Sequence, residues 1–185
     1  MLDKEKMTVK KLTLMALLTA AALIVFIIEA QIPLPVPVPG MKLGLANAIT
    51  LFALFYSLKD REKQSPHTRE SYLTAANAFM ILVCRIILGA VFTGRVIAFI
   101  YSITGGILGF AAQALMKRIV TQKQIWVCGA AGAVFHNIGQ IAAAIIITRT
   151  PEILAYLPVL IITGIITGII TGLIVQFTLL RLDNK

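Results

Sequence analysis

Apolar and polar positions along this chain fall into blocks and do not alternate residue by residue. Long apolar runs are separated by short polar segments, and runs of about 18 or more apolar residues are typical of helices that cross a bilayer. The predicted spans are 12–32, 43–58, 72–92, 96–116, 125–147 and 157–180. The second is shorter than the about 20 residues that a helical span needs, which predicts a tilted, broken or protein-buried segment.

The basic residues between the spans predict how the chain is oriented. Three of them, Lys42, Arg95 and Arg149, lie on one side of the predicted membrane. Thirteen lie on the other side: Lys4, Lys6, Lys10, Lys11, Lys59, Arg61, Lys63, Arg69, Lys117, Arg118, Lys123, Arg181 and Lys185. Because an excess of Lys and Arg marks the cytoplasmic side, both termini are predicted to be cytoplasmic.

The composition supports a membrane protein over a soluble one. Of the 185 residues, 58% are hydrophobic and only 14% are charged, whereas about a quarter of a soluble domain is charged. We therefore expect one all-α integral membrane domain over residues 1–185, with six transmembrane helices, in the cell membrane. The net charge of +9 lies in short loops, so it indicates orientation and does not suggest a nucleic-acid partner.

The sequence lacks the motifs that would carry a reaction. It has no GxxxxGK[ST] phosphate-binding loop, and its aspartates (Asp3, Asp60 and Asp183) are isolated, so no paired carboxylates could hold Mg²⁺ and a diphosphate. The two cysteines, Cys84 and Cys128, lie in predicted spans without a CxxC motif and are expected to pack as small residues. These absences predict a protein that is not an enzyme and uses no cofactor or metal.

A set of polar side chains inside or beside the spans is the best candidate for a binding site. Such groups are costly in a bilayer and usually face a cavity or one another. The predicted depths place most of them in the outer half of the bundle, where Lys42, Arg85 and Arg95 outnumber Glu29 and favour an anionic or electron-rich ligand. The candidate substrate-binding residues are Glu29, Lys42, Asn47, Arg85, His136, Asn137 and Gln140.

Each member of this set also has a structural interpretation. Glu29 and Arg85 could form an ion pair without any ligand, Asn47 and Asn77 could form interhelical hydrogen bonds, and His136 could be a satisfied core histidine. The proline-rich segment 33–40 is stiff and extended. It could cap an outer pocket or act as a rigid linker.

Small residues at helical spacing predict close helix contacts. The sixth span repeats a Thr-Gly pair every four residues, at 163–164, 167–168 and 171–172. Such a stripe lets another helix backbone approach closely. Ala16 and Ala20 form a similar pair in the first span, which could pack internally or face a partner protein.

Four segments give the chain a resemblance to a known family. It resembles the Gx transporter family, whose members are often labelled heptaprenyl diphosphate synthase component I. The His-Asn-x-Gly-Gln segment is the most specific part, and the resemblance covers nearly the whole chain. The segments are 39–47 (PGMKLGLAN), 85–89 (RIILG), 102–106 (SITGG) and 132–140 (GAVFHNIGQ).

That family in turn is similar to the substrate-binding S components of energy-coupling factor (ECF) transporters. The resemblance implies a six-helix bundle with cytoplasmic termini that binds a small molecule near the outer face, under the loop after the first helix. It implies that Ala16 and Ala20 contact a membrane coupling protein, which works with two ATPase subunits. The absent ATP site agrees with such a subunit.

Three functions remain open on the sequence. The first is an ECF-type subunit that captures a small anionic or aromatic metabolite for ATP-driven uptake by its partners. The second is a non-catalytic membrane accessory component of isoprenoid or quinone (heptaprenyl diphosphate) biosynthesis. The third is a stand-alone carrier or pore.

Overall fold

The computed structural model describes residues 9–32, 42–56 and 73–183, and all regular structure in these ranges is helical. Two short 3-10 segments, Gln122–Gln124 and Pro151–Tyr156, precede the last two helices. The helices are α1 (Val9–Glu29), α2 (Asn47–Phe55), α3 (Ala75–Thr93), α4 (Val96–Met116), α5 (Ile125–Thr148) and α6 (Leu157–Asp183). The prediction of an all-α, six-helix bundle is confirmed.

Five of these helices are long and apolar enough to cross a membrane. The exception is α2, whose nine residues rise only about 13 Å at 1.5 Å per residue. A hydrocarbon core is about 30 Å thick, so α2 does not reach across it. The predicted second span, 43–58, is thus an irregular segment followed by a short helix, and its last two residues lie outside the described part of the chain.

Several sequence predictions cannot be compared with the structure. The proline-rich segment 33–40 lies outside the described residues. No membrane accompanies the helices, so the cytoplasmic location of both termini stays a prediction.

The short helix α2 occupies the centre of the bundle, because it contacts each of the other five helices. Five of its nine residues are buried, namely Asn47, Thr50, Leu51, Ala53 and Leu54. At its end, the Lys117 ammonium donates a hydrogen bond to the Leu54 carbonyl. A cation at a helix C-terminus satisfies an orphan carbonyl and complements the helix dipole.

Helices α5 and α6 pack backbone against backbone. A Cβ atom added at Gly168 would lie 2.6 Å from the Gly129 carbonyl oxygen, and one added at Gly172 would lie 2.6 Å from the Trp126 Cα atom. Only glycine permits such an approach. The close contact predicted from the Thr-Gly repeat is therefore confirmed, and the partner helix is α5.

The threonines of α6 turn their hydroxyl groups back onto their own helix. Thr163, Thr167, Thr171 and Thr178 each donate to the carbonyl four residues earlier, at 2.7–3.0 Å. These hydroxyl protons are satisfied within the helix. These four threonines of α6 therefore add no donor that another helix must satisfy.

Candidate ligand-binding site

The irregular segment before α2 is held by the carboxylate at the end of α1. Gly44 has a φ of +82°, a left-handed conformation that favours glycine, and this turns its N–H toward α1. The Glu29 Oε1 atom accepts a hydrogen bond from the Gly44 N–H, and Oε2 accepts one from the Ala46 N–H at 3.5 Å. An anion at this position complements the positive end of the α2 dipole.

The guanidinium of Arg85 contacts the first residue of α2. Its Nη2 atom donates to the Asn47 side-chain oxygen at 3.1 Å, and both side chains are buried. Among the described residues, no ion pair within 4.0 Å joins Arg85 to Glu29. The carboxylate is bound by backbone N–H groups, so the two charges act on each other across the N-terminal turn of α2 and not in direct contact.

Phe26 brings the two buried cations onto one aromatic ring. The Lys42 Nζ atom lies 3.0 Å from the ring centroid and the Arg85 Cζ atom lies 5.6 Å from it. Both distances are within the range of cation–π attraction. The sequence analysis missed Phe26, because one aromatic residue in an apolar helix carries no distinguishing signal.

His136 and Gln140 complete the site from α5. The Gln140 Oε1 atom accepts a hydrogen bond from the Lys42 backbone N–H at 3.3 Å, and its Nε2 atom lies 2.9 Å from His136 Nε2. Because an amide nitrogen only donates, His136 Nε2 must accept. The neutral imidazole then carries its proton on Nδ1.

Two glycines fix the plane of the His136 ring. A Cβ atom at Gly44 would lie 2.9 Å from His136 Cδ2, and one at Gly105 would lie 2.8 Å from Nδ1. The ring is therefore enclosed between α4 and the segment before α2. Gly44 could have been found from its position just ahead of a helix start, but the sequence does not reveal that Gly105 faces the histidine.

Asn137 is placed differently from the other candidates. Its Nδ2 atom donates to the Leu160 carbonyl of α6 at 2.6 Å, so it lies at the contact between α5 and α6. The structure thus brings six of the seven candidate residues together around the N-terminus of α2: Glu29, Lys42, Asn47, Arg85, His136 and Gln140.

Asn77 has the structural role considered for it. With its amide group in the orientation that satisfies both atoms, its oxygen accepts from the Lys11 ammonium at 2.9 Å and from Thr74 at 3.1 Å. These contacts join the start of α1 to the start of α3. They account for a buried lysine and a buried amide without any ligand.

A narrow cleft of about 10 Å³, roughly the room for one water molecule, adjoins the N-terminus of α2. Side chains of α4, α5 and α6 form its other walls, and the described lining contains no charged residue. Gln113, which the sequence analysis left out of the site, contributes a buried amide. The lining residues are Leu43, Gly44, Leu45, Asn47, Ala48, Leu51, Gln113, Gly129, Ala133, Thr167, Gly168 and Thr171.

The site is electropositive at its edge. Burial lowers the pKa of Lys42 to about 8, and Glu29 opposes the shift while Arg85 adds to it. The ammonium is charged at neutral pH and discharges in mildly alkaline solution. Within the described ranges, no group of three His, Cys, Asp or Glu side chains could hold a metal ion.

Ala16 and Ala20 lie on a different surface. Both are exposed on α1, together with the large apolar residues Leu12, Leu17 and Ile24. Buried residues of the same helix, such as Met15 and Phe26, face the bundle. The alanine pair therefore faces away from the bundle interior.

The helices and the buried polar site define a polytopic membrane protein with a polar interior. Comparison with protein families matches residues 18–62 and 70–178 to heptaprenyl diphosphate synthase component I. The chain belongs to this family, as the resemblance indicated, and its match includes Ala20 but begins after Ala16. No curated protein and no solved structure matches the chain significantly.

Proposed function

We propose that this protein is the substrate-binding membrane subunit of an ECF-type transporter, which captures a small anionic or aromatic metabolite at the outer face of the cell membrane. The observation that carries the proposal is the convergence of Glu29, Lys42, Asn47, Arg85, His136 and Gln140 at the N-terminus of α2. Ionisable and amide groups buried at membrane depth are costly and commonly mark a binding site or pathway.

On this proposal the chain performs no chemical step and no ATP hydrolysis. Binding free energy comes from burial and from a few placed polar groups, while partner subunits supply the energy for transport. The exposed surface of α1 around Ala16 and Ala20 would contact the coupling protein. Small side chains there let another helix approach closely.

A second function is favoured by the family name. The chain belongs to the family of heptaprenyl diphosphate synthase component I, so it could be a non-catalytic membrane component of isoprenoid or quinone biosynthesis. Its partner would then be a soluble prenyl synthase. Both functions use a membrane-bound binding subunit, and they differ in what that subunit assembles with.

Purification of the tagged chain in mild detergent tests the choice. We expect a coupling protein and two ATPase subunits to co-purify, and mass spectrometry to detect a retained metabolite. Recovery of a soluble prenyl synthase without ATPases would establish the second function. Uptake by liposomes that contain this chain alone would contradict both and show a stand-alone carrier.

A second experiment, with a matched control variant, tests the proposed contact between α1 and the coupling protein. The double variant Ala16→Leu/Ala20→Leu should lose the coupling protein, because added side chains block close helix approach. The double variant Ala111→Leu/Ala142→Leu makes the same change at exposed positions of α4 and α5 and should keep it. Equal loss in both variants would remove the alanine pair from the interface.

A further inference from the structure

The Thr50 hydroxyl in the first turn of α2 and the Gln113 oxygen in the adjoining cleft lack a hydrogen-bond partner, as do three buried donors around the N-terminus of α2. These donors are Asn47 Nδ2, Arg85 Nε and His136 Nδ1. The histidine nitrogen belongs in this group because Gln140 makes Nε2 the acceptor. The three side chains are only 7%, 2% and 3% exposed. A buried donor without a partner costs about 1–3 kcal/mol, so the group favours a ligand that supplies acceptors.

The backbone at the same place also offers donors. Helix α2 begins inside the bundle, and the N-terminus of such an interrupted helix attracts anions through free N–H groups and its dipole. Glu29 now occupies this position through Gly44 and Ala46. An anion is thus already present at the site, and it belongs to the protein itself.

The adjoining cleft indicates the polarity of the rest of the ligand. It shares Gly44, Leu45 and Asn47 with the N-terminal turn of α2 and has no charged residue in its described lining. Three leucines and several small residues form its walls, with Gln113 as the buried polar group. The chemistry of these walls suits an uncharged part of a molecule whose charged end lies at α2. Because the cleft of about 10 Å³ has room for one water molecule, the walls must move apart to admit that part.

We propose that the N-terminal turn of α2 is an oxyanion site that Glu29 fills in the absence of ligand, and that the ligand carries a phosphate or carboxylate group on an uncharged body. This rests on the proposed function and takes its anionic option. The ligand oxyanion takes the N–H groups of Gly44 and Ala46 from Glu29, between Arg85 and Lys42.

Calorimetric titration of the full chain in lipid nanodiscs tests this directly. The probes are n-butyl phosphate, inorganic phosphate and butyrate, with butanol and potassium chloride as controls. We expect butyl phosphate or butyrate to bind at least about tenfold more tightly than inorganic phosphate. The tighter binder of the two shows whether the site prefers a phosphate or a carboxylate. Failure of every anionic probe to bind would overturn the proposal, as would equal binding of butanol.

The variant Glu29→Gln tests whether the carboxylate is the competitor. It should raise the affinity for the anionic probe about tenfold, because an amide competes poorly for the donors. Glu152→Gln removes the same charge at an exposed position and should leave the affinity unchanged. If Glu29→Gln binds the anionic probe no more tightly than Glu152→Gln does, Glu29 is not the competitor.

A second variant keeps the test valid if Glu29→Gln does not fold. Asn47→Asp adds a fixed negative charge at the first residue of α2, where an acid stabilises the helix, and should weaken probe binding about tenfold. Unchanged binding would contradict the site. Because no partner subunit takes part in these titrations, they can fail while co-purification succeeds, and the reverse.

Discussion

The two halves of the bundle are built on different kinds of contact. Helices α5 and α6 meet through glycine backbones, as at Gly129 and Gly168. Helices α1 and α3 meet through side chains, as where the Phe26 ring lies over Gly89, and Glu29 and Arg85 of the candidate site lie on this side. Backbone contact leaves no side chain that can adjust, whereas side-chain contact does.

This difference suggests a division of labour. The paired helices α5 and α6 form a fixed wall that positions His136 and Gln140. The side formed by α1, α3 and the segment before α2 carries Glu29, Lys42 and Arg85, whose side chains can exchange partners when a ligand binds. The following predictions test that contrast, from the largest expected effect to the smallest.

The largest effect is expected from Gly168→Ala. The added methyl group would lie 2.6 Å from the Gly129 oxygen and 2.7 Å from the Ala130 Cα atom, and neither backbone can yield locally. We expect a loss of about 3 kcal/mol in the free energy of unfolding. The measurement is the unfolding equilibrium in mixed micelles.

Gly106→Ala is its matched control. Here the new methyl group meets the ends of two flexible side chains, Ile86 at 3.0 Å and Leu82 at 3.3 Å, so we expect a cost below about 1 kcal/mol. Similar costs for Gly106→Ala and Gly168→Ala would show that the two contacts do not differ in rigidity.

Arg85→Ala should mainly affect binding. It removes the guanidinium that holds Asn47 and faces the proposed oxyanion, so the affinity for n-butyl phosphate should fall at least about tenfold. Arg118→Ala removes an exposed arginine far from these contacts in the sequence and should change the affinity less than about twofold. Equal affinity in wild type and Arg85→Ala, with the protein folded, would exclude Arg85 from the site.

A pH dependence is expected from Lys42. Its pKa of about 8 means that the ammonium is charged below that pH and neutral above it, so anion affinity should decline as the pH rises through 8. The decline between pH 7 and 9 should be about two- to fivefold by titration. Lys42→Arg stays charged over this pH range, so the decline in affinity should disappear in that variant. A decline that persists in Lys42→Arg would assign the titration to another group.

The smallest effect concerns the end of α2. Lys117→Met removes the ammonium that binds the Leu54 carbonyl and should cost about 0.5–1 kcal/mol of unfolding free energy. Lys123→Met changes an exposed lysine of the 3-10 segment before α5 and should cost nothing measurable. If the two variants are equally stable, Lys117 does not support α2.

Much of the fold could be predicted because the membrane imposes it. The apolar runs gave α4 with both of its bounds and the other long helices within a few residues, since a bilayer requires a minimum helix length. The exception was the span at 43–58, where composition could not show that Gly44 breaks the helix. The requirement for a left-handed turn is set by Glu29 and His136, which are distant in sequence.

The sequence identified most of the residues of the site, but it did not show which groups those residues contact. A charge or amide in an apolar run is visible at once, and six such residues do converge. Their partners were not visible: Glu29 binds backbone N–H groups, Asn137 turns to α6, and Phe26 supports both cations. Which face of a helix meets which neighbour depends on crossing geometry, which a single sequence does not specify.

The internal hydrogen bonds of the α6 threonines have a mechanical consequence. Because Thr163, Thr167 and Thr171 donate their hydroxyl protons to their own helix, the threonine stripe adds no directional bond to the one that Asn137 of α5 donates to the Leu160 carbonyl. Away from Leu160, the register of α6 is set by shape, through glycines that fit α5 at one spacing. A slip by one turn would place Gly164 where Gly168 lies, so the repeat that permits close contact also provides evenly spaced resting positions four residues apart.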